Sequence, residues 1–364
     1  MLALRGGGEL VALWAQLFSV IEMVSGVALS GVAAGLSVLV AQTAPPERQA
    51  LLLWRALRLG LVVGLPVALL VAAAGAFFST PWTLAIAALS GWIASVHGTV
   101  NSYWLGQQRR DLMLRLAAAG AVLGVVAAIA APRTLTLELL AISCALPSLV
   151  LLFVARPGGA APREHDRALE RYLVPGLAIG ILSPLSMLAA RGLVADAMSW
   201  HDAGVLQALW RISDWVGHLA AGVLSVLYLP RLAATYPGPD FHRTLAAALR
   251  AVLLPSVALF ALLFALHRPL LALLYDASFE VSPSAVALLF AGSVARIAAW
   301  VPLFALYAMR RTRAIAVGEL LSLPLFAVLV GAAGPSLTLE LAAVFWLVAY
   351  LAYGAFNAWA MLRR

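Results

Sequence analysis

The sequence has no lysine: all 24 of its basic residues are arginine. It has one cysteine, Cys144, inside an apolar run, which excludes a disulfide or a cysteine-based metal site within one chain. Charged residues make up 11% of the chain, where soluble domains carry about 25%. So little charge cannot cover a water-exposed surface. Enzyme motifs are missing as well. There is no HExxH, no GxxxxGK[ST] and no GxSxG, so no zinc-protease, nucleotide-loop or nucleophile-elbow chemistry is indicated. Gly6-Gly7-Gly8 has no strand before it and reads as a turn, not a phosphate loop. No connection between apolar runs is long enough to form a soluble domain. The start does not read as a signal peptide, because Arg5 and Glu9 precede a long apolar run without a cleavage site.

What remains is apolar. Of the 364 residues, 63% are hydrophobic, and the mean hydropathy is +0.98. A bilayer core about 30 Å thick takes roughly 20 apolar residues per helix. Eleven runs meet that length: 11–40, 56–78, 82–103, 112–131, 135–155, 172–195, 204–230, 245–266, 284–308, 312–332 and 337–361. They are continuous rather than alternating, which argues against a barrel. The first is long enough to tilt or break, and Gly26, Gly31 and Gly35 permit close helix packing there. The expected fold is all-α, a polytopic membrane protein of about eleven transmembrane helices.

The net charge of +8 does not point to nucleic acid, because the arginines sit in short loops between apolar runs. Alternate loops and the C-terminus hold 18 of the 24, at Arg48, Arg55, Arg58, Arg109, Arg110, Arg115, Arg156, Arg163, Arg167, Arg171, Arg231, Arg243, Arg250, Arg310, Arg311, Arg313, Arg363 and Arg364. The opposite loops hold Arg5, Arg133, Arg191 and Arg268. This asymmetry places the first set and the C-terminus in the cytoplasm and the N-terminus outside. The Pro-, Gly- and charge-rich stretch at 156–171 reads as a cytoplasmic linker between a lobe at 1–155 with five helices and a lobe at 172–364 with six. That split reads as a twelve-helix plan of internal repeats lacking its first helix.

Ionisable groups inside a membrane helix are costly, and here they cluster. In the run 204–230, Gln207, Arg211, Asp214, His218 and Ser225 fall on one face roughly 60° wide. Such a stripe lines a cavity or a helix interface, although Arg211 and Asp214 at i,i+3 also fit a plain structural ion pair. A second stripe holds Ser293, Arg296, Trp300, Phe304 and Tyr307. Arg296 has no carboxylate at helical spacing in its own run. It needs an acid from another helix, water or an anionic ligand, and Glu319 is the nearest acid in sequence. Ser90, His97 and Asn101 share a face that reads as packing. Gln16, Ser19 and Glu22 form a short polar stripe in which Glu22 looks the most buried of the carboxylates.

The segment SWHDAGVLQALWRISDWVGHLAAGVLSVLYLPRL (Ser199–Leu232) carries a family resemblance. It resembles the O-antigen and enterobacterial common antigen lipid-linked oligosaccharide flippases of the multidrug/oligosaccharidyl-lipid/polysaccharide exporter superfamily. Their Gly-x-x-Gln-x-x-x-x-Ile-Ser-Asp pattern is matched by Gly204, Gln207, Ile212, Ser213 and Asp214. Their Ser-x-x-x-Leu-Pro-x-Leu pattern is matched by Ser225, Leu229, Pro230 and Leu232. Gly292 with Arg296, Glu319, and the opening Gly8-Glu9-Leu10 with Gln16 also match. Ser293 stands where the family commonly has Asp, and Ala34, Val38 and Leu39 stand where its opening carries Asn, Lys and Tyr.

The resemblance implies two lobes around a central cavity in the bacterial inner membrane. It implies alternating-access transfer of an undecaprenyl-pyrophosphate-linked oligosaccharide to the periplasmic leaflet. The other partners it implies are membrane lipids, with a glycan polymerase and a chain-length protein as candidates; no cofactor, metal or nucleic acid is called for. Arg211, Arg296, Gln207, His218 and Trp300 become the candidate substrate-binding residues, since guanidinium forks bind phosphate oxygens. Asp214, Glu22 and Glu319 become candidates for proton coupling. Three readings compete. A drug/cation antiporter of the same superfamily needs a more acidic cavity. A membrane glycosyltransferase, polymerase or ligase needs larger external loops. A non-transporting partner in glycan assembly remains the third.

Overall fold

The computed structural model describes residues 2–29, 32–42, 45–74, 81–130, 136–154, 169, 173–275 and 279–363. Among these the chain is helical, with no strand. In order the helices are α1 (Leu2–Leu29), α2 (Val32–Gln42), α3 (Pro46–Ala74), α4 (Pro81–Gly106), α5 (Arg110–Ala130), α6 (Thr136–Val154), α7 (Leu173–Ala197) and α8 (Trp200–Val223). A π-helical turn, Leu224–Tyr228, leads into α9 (Leu229–Thr235) and α10 (Phe241–Ala265). Then come α11 (His267–Leu274), α12 (Pro283–Ala308), α13 (Thr312–Glu319), α14 (Leu323–Ala333) and α15 (Leu339–Leu362). Among the described residues each of the eleven apolar runs is therefore helical, apart from run ends and the turn at 320–322. Eight spans among the described residues are long and apolar enough to cross a membrane. Leucines such as Leu70, Leu114, Leu219 and Leu254 point outward, as they do when lipid is the solvent. The chain is an all-α, polytopic membrane protein.

In the first run α1 covers residues up to Leu29 and α2 those from Val32. Gly31 lies outside the described residues. The run 312–332 is not one helix, because it breaks between Glu319 and Leu323. Pro324 explains part of this, as it has no N–H to donate to the carbonyl four residues back.

The chain divides into two compact units, one of Gln16–Leu185 and one of Met1–Ala15 with Ser186–Arg364. The linker expected at 156–171 lies outside the described residues apart from Leu169. In the first unit, Val32, Leu36, Val40, Leu52, Ala56 and Leu169 form one cluster, and Leu57, Val96, Val100 and Leu151 form another. The close packing expected at Gly26 occurs against Gly180. A Cβ on Gly26 would lie 2.9 Å from the Gly180 carbonyl oxygen, and one on Gly180 would lie 2.5 Å from that of Gly26. In the second unit, α12 and α15 pack along most of their length. Gly292 permits this, because its Cβ would meet Leu347 Cα at 3.0 Å and crowd Trp346.

The two units carry a repeat that runs through sequence and structure together. Leu135–Leu139 and Leu337–Leu341 both read LTLEL. In the same register, Pro81 opens α4 and Pro283 opens α12. Gln108 (φ 63°) and Arg310 (φ 59°) follow those helices in the left-handed region. The matching glutamates act alike in each unit. Thr83 Oγ1 donates to Glu138 Oε1 at 2.6 Å, tying α4 to α6, and Ser282 Oγ donates to Glu340 Oε1, tying α12 to α15.

Candidate functional site

The polar stripe lies on α8, whose start is fixed by its own sequence. Ser199 Oγ accepts from the Asp202 N–H at 3.0 Å and donates to Asp202 Oδ2 at 2.5 Å, a side-chain cap of the first turn. At its other end α8 runs into the π turn, a feature that often marks functional positions. Along the stripe Gln207 is buried, Arg211 and Asp214 are half-buried, and His218 is exposed. Gln207 Oε1 is buried with no hydrogen-bond partner among the described residues.

Asp214 is paired with Arg296. The guanidinium donates from Nη1 to Asp214 Oδ1 at 2.8 Å and from Nη2 to Ser213 Oγ at 3.4 Å. One expectation is thereby corrected. The acid that Arg296 needs is Asp214 rather than Glu319, so Asp214 has an ion-pair partner on another helix. The reason is tertiary, since packing of α12 on α8 brings together residues far apart in sequence. Arg296 is 8% exposed, whereas the Asp214 side chain is 29% exposed, so the pair is open on its acidic side.

The guanidinium sits in an aromatic box. Its centre lies 5.3 Å from the Trp300 ring, 5.5 Å from Trp346 and 5.9 Å from Tyr350, distances at which aromatic faces attract a cation. Gly217 leaves it room, since a Cβ there would lie 2.9 Å from Arg296 Nη2. Beneath it runs a buried hydroxyl chain. Ser213 Oγ donates to Ser293 Oγ at 2.6 Å, Ser293 donates to the Leu289 carbonyl at 2.9 Å, and Trp346 Nε1 donates to Ser293 at 3.2 Å. The Arg296 Nε–H is buried without a partner among the described residues. The guanidinium thus keeps a spare donor beside its carboxylate. Trp300 flanks it, as the stripe on α12 predicts.

Glu319 lies elsewhere in the same unit. Tyr353 Oη donates to its Oε1 at 2.7 Å, and Ser322 Oγ lies 3.4 Å from its Oε2. Glu22, expected to be the most buried carboxylate, is exposed, and Glu319 is the buried one at 8% exposure. Arg191, counted with the external loops, is buried inside α7 and donates to the Ala15 carbonyl at 2.6 Å. Removing it from that loop set sharpens the arginine asymmetry. Of the aromatic box, the stripe on α12 yields Trp300 but not Trp346 and Tyr350, which lie on another helix. Trp346, Tyr350, Tyr353 and Asn357 recur at i, i+4, i+7 and i+11 on α15, the same one-face spacing that revealed the stripe on α8.

No family model matches this sequence, and no curated protein matches it. Solved structures do. An inward-facing multidrug resistance MATE family transporter of the MOP superfamily superposes with a TM-score of 0.73 at 11% identity, over 98% of this chain and 89% of that one. An outward-facing conformation of such a transporter gives 0.69 at 12% identity, over 99% and 89%. A MOP superfamily transporter from Pyrococcus furiosus, described as having a binding pocket of reverse polarity that suggests a different function, gives 0.72 at 14% identity, over 99% and 88%. The chain therefore has the fold of the MATE family transporters of the MOP superfamily.

Proposed function

We propose that this protein is a flippase that moves an undecaprenyl-pyrophosphate-linked oligosaccharide, an O-antigen or related surface glycan unit, from the cytoplasmic to the periplasmic leaflet of a bacterial inner membrane. The observation that carries the reading is the guanidinium of Arg296, buried in a membrane span with a spare Nε–H and a carboxylate partner that is open on its far side. A pyrophosphate offers oxygens of the charge and geometry that a guanidinium fork accepts, so it can compete with Asp214 for Arg296. Arg211, one turn before Asp214 and half-buried, adds positive charge to the same face. The fold supports alternating access, since transporters that share it are known in inward- and outward-facing conformations. Arg296 and Arg211 bind phosphate in this reading, while Gln207, His218 and Trp300 contact the sugar side.

The drug antiporter reading has one observation in its favour, the multidrug transporters that share this fold. The charges argue against it. A cationic drug needs an available carboxylate, and of the candidate carboxylates in the second unit Asp214 is neutralised by Arg296 and Glu319 is enclosed, which leaves only the exposed Glu22 of the first unit.

Thermal unfolding of the protein in nanodiscs separates the two. Undecaprenyl pyrophosphate is expected to raise the midpoint, by the equivalent of about 2.7 kcal/mol at a hundredfold excess over its Kd, and a cationic dye is not. Stabilisation by the dye alone would sink the flippase reading.

A further inference from the structure

Glu319 ends α13, at the point where a membrane-crossing segment breaks before resuming at Leu323. Discontinuous helices of this kind mark ion sites in transporters. From the neighbouring helices Tyr353 on α15 hydrogen-bonds its carboxylate, and the other titratable groups that interact with it electrostatically are Tyr307 on α12 and Tyr350 on α15. From its own segment comes Ser322. Among the described residues no arginine or histidine forms an ion pair with it, and Arg296 is committed to Asp214. An ionised carboxylate in apolar surroundings needs a positive partner, and none of these groups supplies one.

The hydrogen bonds indicate where a proton fits. Tyr353 donates to Oε1. Ser322 has one hydroxyl hydrogen and two oxygens within reach, the Glu319 carbonyl at 2.7 Å and Oε2 at 3.4 Å. The shorter contact takes the hydrogen, which leaves Ser322 Oγ as an acceptor facing Oε2. A carboxyl accepting on Oε1 and carrying hydrogen on Oε2 satisfies both neighbours, whereas an ionised one leaves Oε2 facing a lone pair.

The repeat shows that the fold does not require this arrangement. Aligning the two LTLEL segments places Ala117, Gly120, Leu105 and Leu151 of the first unit at the positions of Glu319, Ser322, Tyr307 and Tyr353. All four are non-polar, and α5 runs unbroken from Arg110 to Ala130. The carboxylate with its hydrogen-bond partners Tyr353 and Ser322 and the break occur together in the second unit, while the same helices form without them in the first, where Ser148 stands at the position of Tyr350.

We propose that Glu319 is a proton-binding site built into the α13–α14 break, which takes a proton on Oε2 and releases it when the break opens to water. Resting on the flippase reading, we assign it the coupling proton of transport. Asp214, held by Arg296, is not the carrier.

Infrared difference spectroscopy on the reconstituted full chain tests this without any substrate. The wild type shows the carbonyl stretch of a protonated carboxylic acid, titrating with pH. Glu319→Gln keeps the same hydrogen-bond pattern, donating to Ser322 and accepting from Tyr353, so it folds but loses the band. Asp214→Asn retains the band. The proposal is overturned if no such band appears at any pH, if it survives Glu319→Gln, or if sodium rather than pH removes it. Vesicle transport gives the second arm. Loss of dependence on an imposed pH gradient in Glu319→Gln supports the coupling role, and retained dependence overturns it. If wild-type vesicles move no glycan lipid, the flippase reading fails while the infrared result still decides whether Glu319 binds a proton.

Discussion

Asp214→Ala is expected to destabilise the protein by about 3–5 kcal/mol, measured as the shift in unfolding free energy in detergent, because it strands the buried Arg296 guanidinium. Arg296→Met should cost less. It removes the more deeply buried charge, and the Asp214 left behind is 29% exposed and can be hydrated. The double variant, Asp214→Ala with Arg296→Met, should recover most of the loss, since removing a buried pair together is often near neutral. Equal costs for the two single variants, adding up in the double, would mean that the pair does not interact as its 2.8 Å separation implies.

Arg296→Lys is expected to cut transport about tenfold to a hundredfold, the loss of one charge-assisted hydrogen bond of about 1.5–3 kcal/mol, with a much smaller effect on stability. The ammonium can still neutralise Asp214 within the aromatic box, but it lacks the planar fork and the Nε–H. Initial rates in vesicles, normalised to folded protein, measure this. Wild-type rates in the lysine variant would show that the charge alone suffices and that the fork has no part in recognition.

Much of the fold was legible in the sequence because lipid imposes a simple rule: every backbone group must find its partner within a helix. The eleven apolar runs follow from that rule, and the described residues of each are helical but for run ends and the turn at 320–322. The positions of breaks were harder to read. Between Glu319 and Leu323 the apolar pattern continues through the interruption, and Pro324 was the only local sign. The stripe on α8 was readable because polar side chains at helical spacing have no other explanation in a membrane. Pairing was not. The choice of Asp214 over Glu319 for Arg296 depends on how α12 lies against α8, which spacing within one helix cannot convey. Glu22 misled for a related reason: an apolar neighbourhood in sequence does not make a residue buried when its face points outward. One signal was present and overlooked. The two identical LTLEL segments mark the repeat, and reading them would have paired Glu138 with Glu340 and singled out Glu319 as a residue the first unit lacks.

The most direct measurement of the central claim uses proteoliposomes loaded on one leaflet with undecaprenyl-pyrophosphate-linked oligosaccharide, scored by the appearance of glycan on the other leaflet. The account predicts glycan transfer by the wild type, competition by undecaprenyl pyrophosphate and no competition by a cationic dye. Vesicles that accumulate the dye and leave the glycan lipid where it was placed would contradict it.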